Sequence, residues 1–205
     1  MDSEIIDGIG RLRQRYAPAM ERAVLKSLRK LDQHCRRFIE LSPFLCLGTQ
    51  SESNADVAPR GDKPGFVHIL DDKTLAIPDW PGNNRLDSLT NILSNPNVGL
   101  LFLIPGVEET LRVNGTATIS TNPELLARWD VNGKNPKSVL LVTVGEAFLH
   151  CGKALIRSKL WQEDYKVERS ALPSYGRMLK DQIEVCDTAE EIDKSVAEAY
   201  KTRLY

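Results

Sequence analysis

The sequence has little of what metal centres and dithiol sites are made from. Its three histidines, His34, His68 and His150, are too few and too scattered for a zinc triad. Its four cysteines, Cys35, Cys46, Cys151 and Cys186, form no C-x-x-C pair, which argues against a structural zinc ribbon or a thioredoxin-type motif. They are expected as reduced thiols, mostly buried. No serine or cysteine stands in a recognisable nucleophile–base–orienter set, so nothing suggests a hydrolase. Neither sign of charge dominates: 27 Lys and Arg face 28 Asp and Glu, for a net charge of −1. That balance removes the electrostatic reason to expect a nucleic-acid partner. No apolar run approaches the roughly 20 residues that cross a bilayer, and Met1-Asp2-Ser3-Glu4 lacks the basic-then-apolar opening of a secretion signal. The expected location is therefore the cytoplasm, with no membrane partner. Repeats, low-complexity tracts and interdomain linkers are also missing, and a single domain over 1–205 is expected.

What is there is an ordinary globular composition, 41% hydrophobic and 27% charged, enough for one sizeable core. The charge is unevenly placed. Residues 11–37 carry nine Lys or Arg against Glu21 and Asp32, while residues 181–198 carry seven acids against Lys194. Segments of opposite sign can attract within a chain or across a dimer, and two solvated helix faces look the same.

Val24, Leu25, Leu28, Leu31, Cys35, Phe38 and Ile39 recur at three- and four-residue steps, predicting one amphipathic helix that ends near Ser42-Pro43. An N-terminal helical segment is thus expected over about 1–42. Six β-branched or apolar runs follow between turn residues: Phe44 to Leu47, Phe66 to Leu70, Thr74 to Ile77, Val98 to Ile104, Thr110 to Ser120, and Val139 to Phe148. They predict a mainly β fold with flanking helices, six antiparallel strands in a barrel or sandwich over about 43–150. Leu111 to Asn114 and Ala117 to Ile119 alternate as a half-exposed strand does. Leu100 to Ile104 is apolar throughout and is expected to be hidden on both faces, by a helix or a second subunit. Arg85 to Leu93 supports a short helix stopped by Asn95-Pro96-Asn97, and another starts at Pro123 with Thr121 or Asn122 as its cap. The C-terminal segment, about 151–205, closes with the capping box Thr188 to Glu191 and a face of Ile192, Val196, Ala199 and Tyr200.

The strongest chemical signal is Pro78-Asp79-Trp80-Pro81-Gly82-Asn83-Asn84-Arg85, a strand end, a permissive turn, and an arginine at a helix start. That order presents N–H donors and a guanidinium fork to an anion, although Gly-Asn-Asn is also an ordinary turn. Together with Asn95-Pro96-Asn97-Val98, the apolar strand behind it, and Leu111-Arg112-Val113-Asn114-Gly115-Thr116-Ala117, it resembles the FMN-binding core of the pyridoxamine 5′-phosphate oxidase family. A narrower resemblance is to that family's branch of FMN-dependent enzymes of unassigned substrate. It is carried by Pro59-Arg60-Gly61-Asp62, Pro64-Gly65-Phe66, Ile77-Pro78-Asp79, Gly82 to Asp87, Phe148-Leu149-His150-Cys151, Lys153-Ala154-Leu155, Arg157-Ser158 and Leu160-Trp161.

The resemblance implies a six-stranded split barrel, a two-fold homodimer, and FMN in the groove between subunits. Arg85 then matches the arginine that contacts the FMN phosphate, with Asn83 and Asn84 beside it. Phe66, Val67, Ile77 and Pro78 match strand positions bordering the ribityl chain and flavin ring. Arg60 offers a second contact, or else pairs with Asp56 or Asp62. His150, Lys153 and Arg157 are candidates for the substrate side, where cations stabilise an anionic reduced flavin; alternatively the two cations solubilise a short helix from about Gly152 while His150 and Cys151 enter the core. Trp161 reads as a packing or interface residue. The family's basic residue after the loop arginine is replaced by Leu86, and its C-terminal Arg and Trp pair is not found in its usual form, which argues against pyridoxamine phosphate as substrate.

The function implied is an FMN-dependent oxidoreductase in which flavin N5 exchanges hydride with a small molecule, and oxygen or a nicotinamide closes the cycle. The alternative is a non-catalytic barrel holding flavin or haem as sensor, store or haem handler, His150 being the one attractive axial ligand; a deazaflavin is a third occupant.

Overall fold

The computed structural model describes residues 5–205, and the reading of Met1 to Glu4 lies outside them. Helices α1 (Ile9–Arg15), α2 (Glu21–Leu25) and α3 (Gln33–Leu41) lead into strands β1 (Phe44–Gln50), β2 (Ala55–Gly61), β3 (His68–Ile69) and β4 (Thr74–Asp79). Helix α4 (Asp87–Ser94) follows, then β5 (Asn97–Leu103), β6 (Thr110–Ser120), α5 (Pro123–Leu126) and the long β7 (Ser138–His150). Beyond it come α6 (Lys153–Ser158), α7 (Tyr175–Gln182) and α8 (Ala189–Thr202).

The strands form one antiparallel sheet in the order β2-β1-β5-β6-β7-β4-β3. Although β2 and β4 lie toward opposite ends of that order, Arg60 Nη2 of β2 stands 3.3 Å from Asp79 Oδ1 of β4. The sheet therefore curls until its ends meet through side chains rather than a strand ladder, a split barrel. Inward residues fill it: Leu45, Leu47, Leu75, Phe102, Leu111, Val113, Leu140 and Val142 are wholly buried. A second cluster of Ala76, Trp129 and Val139 lies outside this core. At the bulge between Asn114 and Gly115 the backbone of β7 comes so near that a Cβ on Gly115 would lie 2.0 Å from the Thr143 carbonyl oxygen, so only glycine fits.

Three expectations are corrected. There are seven strands, not six: β2 went unseen because Ala-Asp-Val-Ala-Pro-Arg-Gly is weakly apolar, and only an edge strand tolerates its Pro59. The stripe from Val24 to Ile39 is not one helix. Asp32 accepts a bond from the Cys35 N–H (2.8 Å) and starts α3 there, while Leu28 pairs in extended form with Ala147 of β7. Leu31, Cys35, Phe38 and Ile39 are buried as expected, whereas Val24 and Leu25 are exposed. Within one chain β5 is hidden on one face, while Leu101 and Leu103 on the other are half-buried, the face that the sequence reading leaves to a helix or a second subunit. The cysteines are unpaired, but only Cys35 is buried, and Cys151 and Cys186 are exposed.

Other readings hold. Asn122 caps α5 through the N–H groups of Glu124 and Leu125, and the capping box at Thr188 and Glu191 is formed. Strand β6 alternates, with Leu111, Val113 and Ala117 inward and Arg112 and Thr118 outward. Among the described residues no helix is long and apolar enough to cross a membrane.

Candidate functional site

Where the sheet's ends meet, a cleft of about 760 Å³ opens between β2 and the loop from β4 to α4. Arg60, Asp79, Trp80, Asn83, Asn84, Arg85 and Lys137 line it. Strand β4 ends at Asp79, whose carbonyl accepts from the Lys137 N–H (2.9 Å). The loop then folds tightly: the Arg85 N–H donates to Asn83 Oδ1 at 3.0 Å, and Asn84 and Leu86 take left-handed conformations at φ 60° and 59°. Asparagine accepts that region readily, but leucine does so at a cost in strain. Helix α4 opens one residue later than Leu86, so Arg85 precedes the helix instead of standing in its first turn. Against β2, α4 is held by the Ser88 hydroxyl, which donates to Asp56 Oδ2 (3.0 Å).

The two arginines differ in setting. Arg85 is exposed, and its Nε donates to Asp87 Oδ2 at 2.8 Å. Arg60 is largely sheltered and pairs with Asp79, rather than with Asp56 or Asp62, the alternative partners the sequence offered. Burial pushes the Asp79 carboxyl above its ordinary range, and the Arg60 guanidinium opposes the shift. Arg60 Nε and Trp80 Nε1 are both buried and meet no acceptor among the described residues. Two buried donors without partners on one cleft are costly unless something bearing acceptors enters it.

The expected site residues divide into three groups. Arg60, Asn83, Asn84 and Arg85 are brought together. Phe66, Val67 and Ile77 are buried in the barrel core, Pro78 is buried on the opposite face of β4 with Ala76, and none of the four lines the cleft. Trp129 fixes this inner group by donating to the Phe66 carbonyl (2.7 Å). His150, Lys153 and Arg157 lie at the far end of β7, on the order of 40 Å of strand from Ser138. Lys153 and Arg157 are exposed on α6, which does begin after Gly152; His150 is half-buried and Cys151 exposed, so neither is a core residue. Trp161 is half-buried and donates to the Val107 carbonyl (2.9 Å), a packing role. Trp80, Asp79 and Lys137 were missed as site residues. The first two stood within the loop motif, whereas nothing local marks Lys137. Among the described residues no group of His, Cys, Asp and Glu could hold a metal ion.

A shallower depression of about 730 Å³ crosses the outer sheet face over Gly48, Gly99, Gly115 and Gly145. Asp56 and Glu146 are its carboxylates, and Glu146 is held below its ordinary range first by the Ser27 hydroxyl and then by the Asn114 amide.

The sequence model of the pyridoxamine 5′-phosphate oxidase family matches residues 31–151. No curated protein matches the chain. Among solved structures, the chain is similar to HupZ of Group A Streptococcus, with 18% identity over 58% of this chain and 93% of that one, at a TM-score of 0.48. It is also similar to a Clostridium acetobutylicum protein related to general stress protein 26, of the pyridoxinephosphate oxidase family, at 15% identity, 58% and 86% coverage and a TM-score of 0.45. A third is the FAD binding protein from Mycobacterium smegmatis, at 15% identity, 60% and 97% coverage and a TM-score of 0.43. Superpositions this weak carry no functional argument, but the sequence match extends over more than half of the 205 residues, through every strand of the sheet. The chain belongs to the pyridoxamine 5′-phosphate oxidase family.

Proposed function

We propose that this protein is an FMN-dependent oxidoreductase acting on a small molecule, with the phosphate of FMN held in the cleft between β2 and the β4–α4 loop. The observation that carries the reading is the convergence of Arg60, Trp80, Asn83, Asn84 and Arg85 on one cleft, with Arg60 Nε and Trp80 Nε1 buried donors that meet no acceptor among the described residues. A phosphate oxygen satisfies such donors, and the Arg85 guanidinium, exposed and held among the described residues by Asp87, can turn toward it. Residues and group therefore fit at the phosphate end. FMN, when bound, supplies hydride exchange at its N5 position.

The chain's own part is binding and orientation. Asp79 keeps the Arg60 guanidinium directed across the barrel's seam, and the left-handed turns at Asn84 and Leu86 set the direction of Arg85. His150, at the end of β7 away from Ser138, and Lys153 and Arg157 on α6 do not line the cleft. In this reading they meet the flavin only across a two-fold homodimer, with the cofactor between the subunits.

The test is an absorbance spectrum of the purified protein before and after FMN, then with a nicotinamide donor under anaerobic conditions. Flavin bands that bleach with the donor support the proposal. A Soret band, or no uptake of FMN, would overturn it.

A further inference from the structure

Two parts of the chain lie outside both cleft and core. The N-terminal arm, α1 and α2, buries no residue and exposes Ile9, Leu12, Tyr16, Met20, Val24 and Leu25. Its helices have seven and five residues, well short of the roughly 12 at which an isolated helix holds in water, so they need a surface to pack on. The arm's base is fixed: Lys26 Nζ donates to the Leu149 carbonyl (2.6 Å), Ser27 to Glu146, and Leu28 pairs with Ala147. The second part is the α7–α8 hairpin. It is closed tightly where the Gly176 N–H donates to Asp193 Oδ1 (2.6 Å), and Tyr205 beyond it is tied to the body through its hydroxyl on Asp62 (2.7 Å). Helix α8 buries nothing, and Leu172, Tyr175, Ile183, Tyr200 and Leu204 are exposed around it.

The two surfaces carry opposite charge. Residues 5–26 hold five Lys or Arg against Asp7 and Glu21, while the hairpin, residues 175–202, holds seven acids against Arg177, Lys180, Lys194 and Lys201. We infer that the arm of one protomer packs on the α7–α8 hairpin of a second copy of this chain, and the reverse, so that a two-fold pair is locked twice. A two-fold axis makes each contact in duplicate and covers both apolar surfaces at once. An anionic membrane would suit the basic arm but would leave the acidic hairpin's apolar residues uncovered. Charge at such an interface chiefly selects the partner and its orientation, while the apolar residues supply the burial. The inference shares its two-fold pair with the flavin reading, but none of the interlocking residues named lines the cleft, so FMN uptake tests that reading separately.

The test reverses charge on each side of the full chain. One variant carries R13E, R15E and R22E; the other carries E184K, E190K and E198K, all at exposed positions. The wild type should sediment as a dimer, and each variant alone should dissociate about 10-fold more readily or worse, with an unchanged circular dichroism spectrum. An equimolar mixture should recover wild-type association, because in the mixed pair both contacts are complementary again. Three results would overturn the inference: variants that dimerise as the wild type does; recovery only when all six changes sit in one chain, which would place the arm on its own hairpin; or flotation with anionic vesicles that R13E/R15E/R22E alone abolishes.

Discussion

Arg60 and Arg85 share a cleft but carry different burdens, and their substitutions should separate. Arg85 is exposed and paired to an exposed Asp87, so its removal leaves no buried charge stranded. Arg85→Ala is expected to weaken FMN binding by on the order of 1.5–3 kcal/mol, the worth of a charge-assisted bond, with the melting temperature unchanged. Arg60→Ala strands the sheltered Asp79 carboxylate, and should lower stability by roughly 1–3 kcal/mol as well as weakening FMN. Flavin titration and thermal melting of both variants check the contrast; equal loss of stability in the two would contradict it. His68 gives a second residue-scale prediction. Its ring stacks on Trp129 at 4.1 Å, and burial, with help from Arg128, holds its pKa below the ordinary 6.5. The unfolded chain therefore takes up the proton first as pH falls. The stability His68 contributes is present above pH 6.5 and is lost below it, through the depressed folded-state value. His68→Phe keeps an aromatic ring against Trp129 and should show a smaller loss of melting temperature than wild type between about pH 7.5 and 5.5. Parallel curves for the two proteins would show that the histidine is not the cause.

At the scale of elements, local caps decide where helices begin. Asp32 ends an extended stretch and opens α3, whose Cys35, Phe38 and Ile39 seal one side of the barrel. Asp32→Ala should lower stability by about 1 kcal/mol, while Asp32→Ser or Asp32→Asn should retain most of it, as urea midpoints would show. A retained midpoint in the alanine variant would mean that packing alone sets the helix start. The same residue shows why the sequence was only partly legible. Apolar spacing from Val24 to Ile39 satisfies a helix throughout, but the pairing of Leu28 with Ala147 depends on a strand 119 residues away and leaves no local mark. Strands β4 to β7 were readable because their apolar runs exceed what a loop carries, whereas β2 gains its place from the edge of β1. For the site, the Asn83-Asn84-Arg85 turn was visible as turn chemistry beside a cation. Lys137 and the Arg60–Asp79 pair come together only when the sheet curls, and spacing cannot express that. Phe66 and Ile77 were matched to the site by family position, yet in the chain itself burial turns them inward.

For the whole molecule, the barrel's stability should be graded from the centre of the sheet to its seam. Strands β6 and β7 form the longest ladder, from Thr110 opposite His150 to Ser120 opposite Val139, and supply Leu111, Val113, Leu140 and Val142 to the core. Strand β2 has a ladder on one side alone, includes Pro59, and faces β4 only through side chains across the cleft. Amides with few buried neighbours and one-sided pairing open at low free energy, while those in a two-sided, fully packed ladder open only with the whole fold. Hydrogen exchange should therefore be slowest in Leu111 to Val113 and Val139 to Val142, and much faster in Ala55 to Gly61 and in α1. If the cleft is the ligand site, saturating FMN should slow exchange at Ala58 to Gly61 and Asp79 to Ser88 and leave the centre of the sheet unchanged, because a ligand stabilises most the local openings that would expel it. Uniform protection without change at the seam would place the ligand elsewhere on the barrel, and the outer depression over Gly48 and Gly99 would then become the surface to probe.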